Sequence, residues 1–129
     1  MSTRKSPITC HVLDASSGKP ADGVEVRVVQ APHELSSPQH FSFDPIAHGV
    51  TDANGRCADL MAPKPGEPEI ALSAGLYKVI FKTKEYFHDS GRPCFYPWVE
   101  ITFEIEDPSQ HYHIPLLISP YSFTTYRGS

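Results

Sequence analysis

The amino-acid sequence predicts an all-β protein, a sandwich of about eight short strands with one attached helix. Three observations lead to this fold class. Thirteen prolines and eight glycines are spread along the whole chain of 129 residues, which disfavours long helices. Apolar residues alternate with polar ones in most of the segments between them, as they do in half-buried strands. Turn signals such as Ser-Gly, Asn-Gly and Asp-Pro recur at short intervals, as expected for a sandwich.

Each strand is predicted from a short apolar or alternating run that a turn signal closes. The clearest is the segment 99–106, where valine, isoleucine and phenylalanine alternate with glutamate and threonine until Asp107-Pro108 breaks the pattern. Residues 31–48, rich in proline, histidine and serine, are predicted as a loop in which a strand begins near Phe41. In chain order, the other predicted strands are 8–13, 24–28, 56–60, 70–72, 76–82, 111–118 and 121–126.

A single helix is predicted, over residues 83–89. Thr83 is expected to cap its N-terminus, and Ser90-Gly91 is expected to end it. A chain of this length favours one domain, and no internal repeat divides it. We therefore expect one domain over residues 8–129, preceded by a flexible N-terminal segment, residues 1–7.

The charge and hydropathy of the chain exclude two classes of partner. Eleven basic and 15 acidic residues give a net charge of −4, so the sequence predicts no basic face for nucleic acid. No apolar run approaches the roughly 18 residues that cross a membrane, and no membrane partner is expected. The charged residues 1–7 are not followed by an apolar stretch, so we expect no secretory signal and a cytoplasmic protein. The absence of a terminal Ser-Lys-Leu argues against peroxisomal import by that signal and leaves other routes open.

The cysteines and most of the histidines are predicted to have no chemical role. Cys10, Cys57 and Cys94 are too few and too scattered for a disulfide framework, so reduced thiols are expected. No Cys-x-x-Cys spacing is present, and no metal site is predicted. Solvent exposure is expected for the histidines that lie in or beside polar segments, which are His33, His40, His48 and His88.

Three other histidines and the C-terminus are unusual. His11 lies inside an apolar strand, and His111 and His113 share one face of another strand, because residues i and i+2 point the same way. Taken alone, each of them fits a structural histidine as well as a functional one, and the pair lacks a third metal ligand. Residues 121–126 have the pattern of a strand, and the chain stops soon afterwards; by itself this end fits a frayed terminus.

Several segments together resemble the 5-hydroxyisourate hydrolases, the transthyretin-like enzymes of urate breakdown. The resemblance covers residues 8–129 and is carried by Ile8-Thr-Cys-His-Val-Leu-Asp14, Gly18-Lys-Pro-Ala-Asp-Gly23, Thr51-Asp-Ala-Asn-Gly-Arg56, and His113-Ile-Pro-Leu-Leu-Ile-Ser-Pro120 with the terminal Tyr126-Arg-Gly-Ser129. The terminal tetrapeptide is highly specific. The chain departs from the family pattern in a longer loop at 31–48 and in Cys10, where many members carry threonine.

The resemblance implies a transthyretin-like sandwich of two four-stranded sheets. It implies a homotetramer, assembled as a dimer of dimers, with active sites in the channel where the dimers meet. The implied reaction is the hydrolysis of 5-hydroxyisourate, which opens the six-membered ring and yields 2-oxo-4-hydroxy-4-carboxy-5-ureidoimidazoline. No metal or cofactor is implied.

The resemblance also carries the family's functional positions onto this chain. The catalytic positions are His11, Arg56, His113 and Ser129, and the substrate-binding positions are His11, Arg56, Tyr126, Arg127 and Gly128. A neutral histidine suits the activation of water, and an arginine suits a developing oxyanion. Which histidine is the base stays open. Arg127 is expected to pair with a carboxylate and so to fix the path of the terminus.

A transthyretin-like carrier of small aromatic ligands is the alternative function. The hormone carrier of this fold has lysine where this chain has His11, and it lacks the terminal Tyr-Arg-Gly-Ser. Both features of this chain favour the hydrolase.

Overall fold

Two β-sheets enclose one apolar core in the computed structural model, which describes residues 6–31, 42–57, 59–61, 66 and 71–129. The strands and the helix, in chain order, are β1 (Ile8–Asp14), β2 (Lys19–Pro20), β3 (Glu25–Gln30), β4 (Asp44–Val50), β5 (Arg56–Cys57), β6 (Gly75–Phe81), α1 (Thr83–Asp89), β7 (Val99–Ile105), β8 (Tyr112–Ser119) and β9 (Ser122–Thr125). The predicted fold class, an all-β sandwich with one short helix, is confirmed. Within the described residues, no helix is long and apolar enough to span a membrane.

The first sheet carries β1 between β8 and two short strands. β1 and β8 run parallel over the whole length of β1, and β9 adds an antiparallel edge to β8. On the other side of β1, β5 pairs with Cys10 and His11, and β2 pairs with Leu13 and Asp14. β2 and β5 therefore follow one another along the same edge of β1. The sheet has four strand positions, as the resemblance implies.

The second sheet is antiparallel throughout, in the order β4-β3-β6-β7. Strand β6 shows the expected alternation, because Tyr77, Val79 and Phe81 are buried and the residues between them are only partly covered. Such alternation turns one face of each strand toward the core. Large, fully buried side chains come from both sheets and from the helix, and include Tyr77, Phe81, Phe87, Ile8, Ile105 and Leu116.

The same alternation on β1 and β8 decides where the histidines of the first sheet lie. On β1 the even-numbered residues from Ile8 to Asp14 are buried, and the odd-numbered ones, including His11, are only partly covered. On β8 the even-numbered residues are again buried, and His113 is partly covered. Both histidines therefore lie on the outer face of this sheet, away from the core.

Strand β4 differs most from the sequence prediction. It begins at Asp44, inside the predicted loop 31–48. β4 is an edge strand, where Pro45 is tolerated although it weakens the strand signal in the sequence. The predicted strand start at Phe41 falls outside the described residues.

Two further strand predictions are corrected. β5 covers only Arg56 and Cys57 instead of residues 56–60, and Leu60 packs into the core beyond the end of the strand. In the predicted strand 70–72, the last two residues lie in no strand, and Ile70 falls outside the described residues.

Helix α1 occupies the predicted residues, Thr83–Asp89. Its N-cap is Lys82 rather than Thr83, which is the first helical residue and is buried. The predicted C-terminal end is confirmed. Gly91 has a φ of 71°, a conformation that favours glycine, and its N–H donates a hydrogen bond to His88 O at 2.9 Å.

The packed domain reaches further toward the N-terminus than the sequence predicts. Ser6 is buried, and its Oγ accepts a hydrogen bond from Met61 N at 2.9 Å. The carbonyl of Pro7 accepts one from Tyr112 N at 2.9 Å. The predicted flexible segment, residues 1–7, is therefore corrected at its last two residues, while the five residues before Ser6 lie outside the described ones.

Candidate active site

Three neighbouring strands bring the predicted site residues together on the outer face of the first sheet. His11 on β1 is the register partner of Arg56 on β5. On the other side of β1, Thr9 is the register partner of His113 on β8. Thr9 and His11 are two residues apart on one strand and so share a face. The sheet thus gathers His11, Arg56 and His113, which are far apart in the sequence.

The imidazole of His11 is held by the turn that precedes β5. Its Nε2 lies 3.0 Å from the carbonyl oxygen of Asn54. A carbonyl only accepts, so Nε2–H is the donor, and the neutral ring keeps a lone pair on Nδ1. Asp52 fixes this turn, because its Oδ1 accepts hydrogen bonds from the N–H groups of Asn54 (2.9 Å) and Arg56 (3.0 Å). His11 is therefore presented with a defined free nitrogen.

Gly55 closes this turn for a steric reason. Its φ is 74°, and a Cβ there would lie 2.3 Å from the carbonyl oxygen of Val12. Val12 N also donates to Gly55 O at 2.7 Å. The close approach of the turn to β1 requires glycine, and it sets the position of Arg56, the next residue.

The side chain of Arg56 forms no ion pair with the part of the chain that the structure describes. Arg56 is exposed, and it lines a cavity on the outer face of the sheet. Because a guanidinium carries five N–H donors in a planar fork, an arginine without such a partner is available to a carbonyl or an anionic group of a ligand.

His113 is fixed on two sides. Its Nδ1 lies 2.8 Å from Thr9 Oγ1, and its carbonyl accepts a hydrogen bond from Gly128 N at 3.0 Å. Gly128 lies against the imidazole, since a Cβ at this position would be 2.6 Å from His113 Cδ2. With Nδ1 bound to Thr9, Nε2 is the ring nitrogen that remains for a reaction.

The surroundings of His113 favour its neutral form. Burial lowers the pKa of His113 below its usual value of 6.5, and the positive charges of Arg56, His11 and His111 lower this pKa further. The ring is therefore neutral at pH 7. A neutral ring with a free nitrogen meets the first requirement of a general base.

The C-terminal residues lie beside His113. Gly128 forms an isolated antiparallel bridge with it. Arg127 does not pair with a carboxylate of the described residues, which corrects the prediction. Its Nη2 donates to Gln110 Oε1 at 3.0 Å, and its guanidinium lies 4.7 Å from the ring centre of Tyr112. An amide oxygen and an aromatic face therefore fix the path of the terminus.

An open cavity of about 730 Å³ lies among these residues. Its lining includes Thr9, Arg56, Gln110, His111, His113 and Ser129. This volume suits a small-molecule ligand. Of the predicted site residues, Arg56, His113 and Ser129 line the cavity and His11 lies next to Arg56. The predicted contacts at Tyr126, Arg127 and Gly128 do not line it; the last two hold Ser129 in place.

Sequence reasoning missed Thr9 and Gln110 and gave His111 no role. Thr9 precedes His11 by two residues, which places both on one face, and His111 has the same spacing to His113. This spacing is the signal that would have found Thr9 and His111. Gln110 lies before β8, where no periodic pattern marks it.

The residues predicted to have no role behave as follows. His48 and His88 are exposed, as predicted, while His33 and His40 fall outside the described residues. All three cysteines are free thiols, as predicted. Within residues 6–31, 42–57, 59–61, 66 and 71–129, no group of three histidine, cysteine or carboxylate side chains is placed to hold a metal ion.

The fold and the site define a transthyretin-like sandwich that carries histidine and arginine on the outer face of one sheet. The profile of the HIUase/Transthyretin family matches residues 8–128. The chain belongs to this family.

Both kinds of protein in the family name are similar to this chain. A 5-hydroxyisourate hydrolase of Mus musculus is 40% identical over 131 residues, 100% of each chain. The structure of Klebsiella pneumoniae 5-hydroxyisourate hydrolase matches with a TM-score of 0.74 and 32% identity, over 98% of this chain and 100% of that one. The structure of sea bream transthyretin in complex with thyroxine matches with a TM-score of 0.80 and 33% identity, over 95% of each. The backbone is thus similar both to that of a 5-hydroxyisourate hydrolase and to that of a transthyretin, so the side chains of the site have to be compared as well.

Proposed function

We propose that this protein is an enzyme that hydrolyses 5-hydroxyisourate to 2-oxo-4-hydroxy-4-carboxy-5-ureidoimidazoline in urate degradation. The observation that carries the proposal is the cavity that His113, with its lowered pKa, shares with Arg56, which has no ion pair among the described residues. The full-length relative from Mus musculus, named 5-hydroxyisourate hydrolase, supports the same reaction. No metal and no cofactor take part in the proposed mechanism.

Ring opening by water needs a base and a group that stabilises an oxyanion. A histidine lone pair, on Nδ1 of His11 or Nε2 of His113, takes a proton as water attacks a carbonyl carbon of the six-membered ring. The carbonyl oxygen becomes an oxyanion, which Arg56 stabilises. When the intermediate collapses, the C–N bond breaks and the histidine returns the proton to the leaving nitrogen. The histidine therefore ends each cycle in its neutral form.

The C-terminal tetrapeptide supplies polar contacts in this proposal. Ser129 lines the cavity and offers its hydroxyl to the substrate, and Gly128 and Arg127 hold it there. Tyr126 is 59% exposed and becomes a substrate contact when a neighbouring subunit covers it.

We further propose a homotetramer, a dimer of dimers, that acts in the cytoplasm without a nucleic-acid or membrane partner. The cavity is open in the single chain, and a subunit contact would exclude bulk water and strengthen the charge interactions inside it. Several large apolar side chains are exposed and suit such contacts, namely Val50, Phe95, Trp98, Tyr121, Phe123 and Tyr126.

The carrier alternative has less support. Its fold is shared, but a carrier of aromatic ligands has no use for a histidine with a lowered pKa beside an arginine that has no ion pair in the described part of the chain. His11, which stands where the hormone carrier has lysine, and the terminal Tyr-Arg-Gly-Ser also favour the hydrolase.

Purified protein added to freshly oxidised urate tests the proposal. We expect 5-hydroxyisourate to disappear much faster than in buffer, as followed by its ultraviolet absorbance. A folded His113→Ala protein is the matched control and should give about 100-fold less acceleration. Folded wild-type protein that binds thyroxine and leaves the decay unchanged would support the carrier instead.

A further inference from the structure

The hydroxyl of Thr9 joins two histidines of the cavity. Its Oγ1 lies 2.8 Å from Nδ1 of His113 and 2.9 Å from Nε2 of His111, both ordinary hydrogen-bond distances. We infer that Thr9 and His111 are positioning residues that act through His113, because they fix which of its ring nitrogens is protonated and take up a proton from it during turnover. The inference rests on the proposed hydrolase function, in which His113 can act as the base.

The backbone builds this contact into the sheet. Thr9 and His113 are register partners on the parallel strands β1 and β8, so their side chains lie side by side on the outer face. His111 directly precedes β8, two residues before His113, and is exposed. One hydroxyl therefore connects a half-buried ring to an exposed ring.

The donors and acceptors allow two arrangements of the three groups. A hydroxyl has one hydrogen, so it can donate to only one of the two rings and must accept from the other. In the first arrangement, His113 Nδ1–H donates to Thr9, Thr9 donates to His111 Nε2, and His113 Nε2 keeps a lone pair. In the second, both hydrogen bonds are reversed, and His113 Nε2 carries the hydrogen. The first arrangement is a base and the second is a proton donor.

The charge of Arg56 favours the first arrangement in the resting enzyme. Arg56 and His113 line the same cavity, and a cation there favours a lone pair over an N–H group on the ring nitrogen that remains free. Gly128 lies against the Cδ2 edge of the ring, where a Cβ would be 2.6 Å from Cδ2.

The same contacts give the proton a path away from the cavity. After His113 Nε2 has taken a proton from water, both ring nitrogens are protonated. Transfer of the Nδ1 proton to Thr9 Oγ1, together with transfer of the Thr9 proton to His111 Nε2, leaves His113 neutral and His111 as the cation. No atom or electron is gained or lost, and the hydroxyl is restored. The charge moves to the exposed ring, where water stabilises it until the intermediate collapses. The two transfers then run in reverse, and His113 Nε2 gives its proton to the leaving nitrogen, so both histidines end the cycle neutral.

Two substitutions of Thr9 test the hydroxyl. Thr9→Val removes the hydroxyl at nearly constant volume and should lower kcat about tenfold or more, with KM little changed. Thr9→Ser keeps the hydroxyl and should recover most of the activity. If folded Thr9→Ser is as slow as Thr9→Val, the loss comes from packing on β1, and the inference is overturned.

The pH profile distinguishes positioning from a purely structural role. Among the described residues, the charged or titratable groups that act on His113 are Arg56, His11 and His111. Thr9→Val removes an acceptor that stabilises the charged ring, so the acid limb of kcat/KM should move to lower pH. His111→Gln removes a positive neighbour that lowers the pKa of His113, so the limb should move to higher pH. Gln still accepts the Thr9 hydrogen but cannot take up a proton, so kcat should fall in this variant too.

The ring nitrogens of His113 provide a readout that needs no substrate. Their ¹⁵N chemical shifts in wild-type protein should indicate Nδ1–H as the main neutral tautomer, and Thr9→Val should reduce its share. Unchanged shifts and unchanged acid limbs in both variants would overturn the inference. If the wild-type protein does not hydrolyse 5-hydroxyisourate, the proposed function fails, and the nitrogen shifts alone still decide whether Thr9 sets the tautomer.

Discussion

Two arginines lie beside strand β1, one at its end near Asp14 and one opposite its central residue His11, and they differ in what they contact. Near Asp14, the guanidinium of Arg92 donates to Asp14 Oδ2 and Ser16 Oγ, each at 2.8 Å, and lies 4.8 Å from the ring centre of Phe87. Near His11, the guanidinium of Arg56 has no ion pair within the described residues. A cation that its own chain satisfies stabilises the fold, whereas one without a partner is available to a ligand.

The difference follows from the alternation along β1. Asp14 falls on the core face, where its side chain is 0% exposed, and a buried carboxylate needs charged or hydrogen-bonding partners. His11 falls on the outer face, and its neighbour Arg56 lines a cavity, where its guanidinium has no ion pair among the described residues. One strand thus joins a structural end, at Asp14, to a chemical end, by which we mean the part of the strand from Thr9 to His11.

Replacing each arginine with alanine should separate the two ends. Arg56→Ala should lower the turnover of 5-hydroxyisourate by about 100-fold or more, because the oxyanion loses its cation, while Tm is kept. Arg92→Ala should leave turnover per folded protein unchanged and lower the free energy of unfolding by about 3 kcal/mol, because the buried Asp14 loses its charged partner. Turnover and thermal melts of both proteins measure the contrast.

Replacing histidines with alanine extends this comparison of turnover and folding. His11→Ala and His113→Ala should each reduce turnover by about 100-fold without unfolding the protein. His48→Ala, an exposed histidine on β4, is the matched control and should change little. Normal turnover in a folded His11→Ala protein would remove His11 from the mechanism, and unfolding of Arg56→Ala would erase the contrast between the two arginines.

The fold could be predicted wherever its signal is local. Helix α1 has the predicted bounds because Gly91 and the end of the preceding alternation mark it in the sequence. Strand β4 could not be placed, because Pro45 and its neighbours are stable as an edge strand only through pairing with β3. The burial of Ser6 likewise depends on Met61, 55 residues away.

The residues of the site show the same difference between local signals, which the sequence reveals, and long-range contacts, which it does not. His11, Arg56 and His113 came from a resemblance to a family, and no local pattern in the sequence brings them together. Their adjacency depends on the parallel pairing of β1 with β8, a long-range contact. The contact of Thr9 with His113 depends on the directions of side chains across that pairing, which the sequence does not show. In the sequence, the spacing of two residues between Thr9 and His11 is its only signal.

Extending the chain at its C-terminus should also disturb the chemical end of β1, and turnover should fall by a smaller factor than in the alanine variants. Gly128 is bridged to His113, and Ser129 lines the cavity, so a tag after Ser129 has to pass through or displace the site. We expect turnover to fall about tenfold or more, because small displacements of catalytic groups are costly. Turnover of matched proteins with the same tag before Met1 or after Ser129 measures this.

Deletion of residues 127–129 completes this comparison. The deletion removes the hydrogen bond from Arg127 to Gln110 and the cover over His113, and it should reduce turnover more than Tm. The protein tagged before Met1 is the control, and a thermal melt checks the folding of each variant. Equal turnover in all three proteins would mean that the terminal residues have no part in the site.

The smallest of the predicted effects is the one of acid, which should reduce the free energy of unfolding that the structural end of β1 contributes. Although burial raises the pKa of Asp14, hydrogen bonds from Arg92, Ser16 and Tyr86 outweigh it and lower this pKa from 3.8 to about 2. The folded pKa lies below the unfolded one, so the ionised carboxylate stabilises the fold above about pH 4, and this contribution is lost as the pH falls toward about 2. The shift corresponds to about 2 kcal/mol in the free energy of unfolding.

Denaturant unfolding of wild-type protein and Asp14→Asn between pH 7 and about pH 2 measures this contribution. Asp14→Asn should be less stable at pH 7, because an amide cannot replace the carboxylate opposite Arg92, and its stability should fall less steeply with acid. Asp107→Asn is the matched control, since the carboxylate of Asp107 is exposed and, among the residues described, accepts hydrogen bonds only from Ser109. If Asp14→Asn keeps the full acid dependence of the wild type, the pairing of Asp14 with Arg92 is not what acid disrupts. The two ends of β1 would then differ in chemistry but not in their contribution to stability.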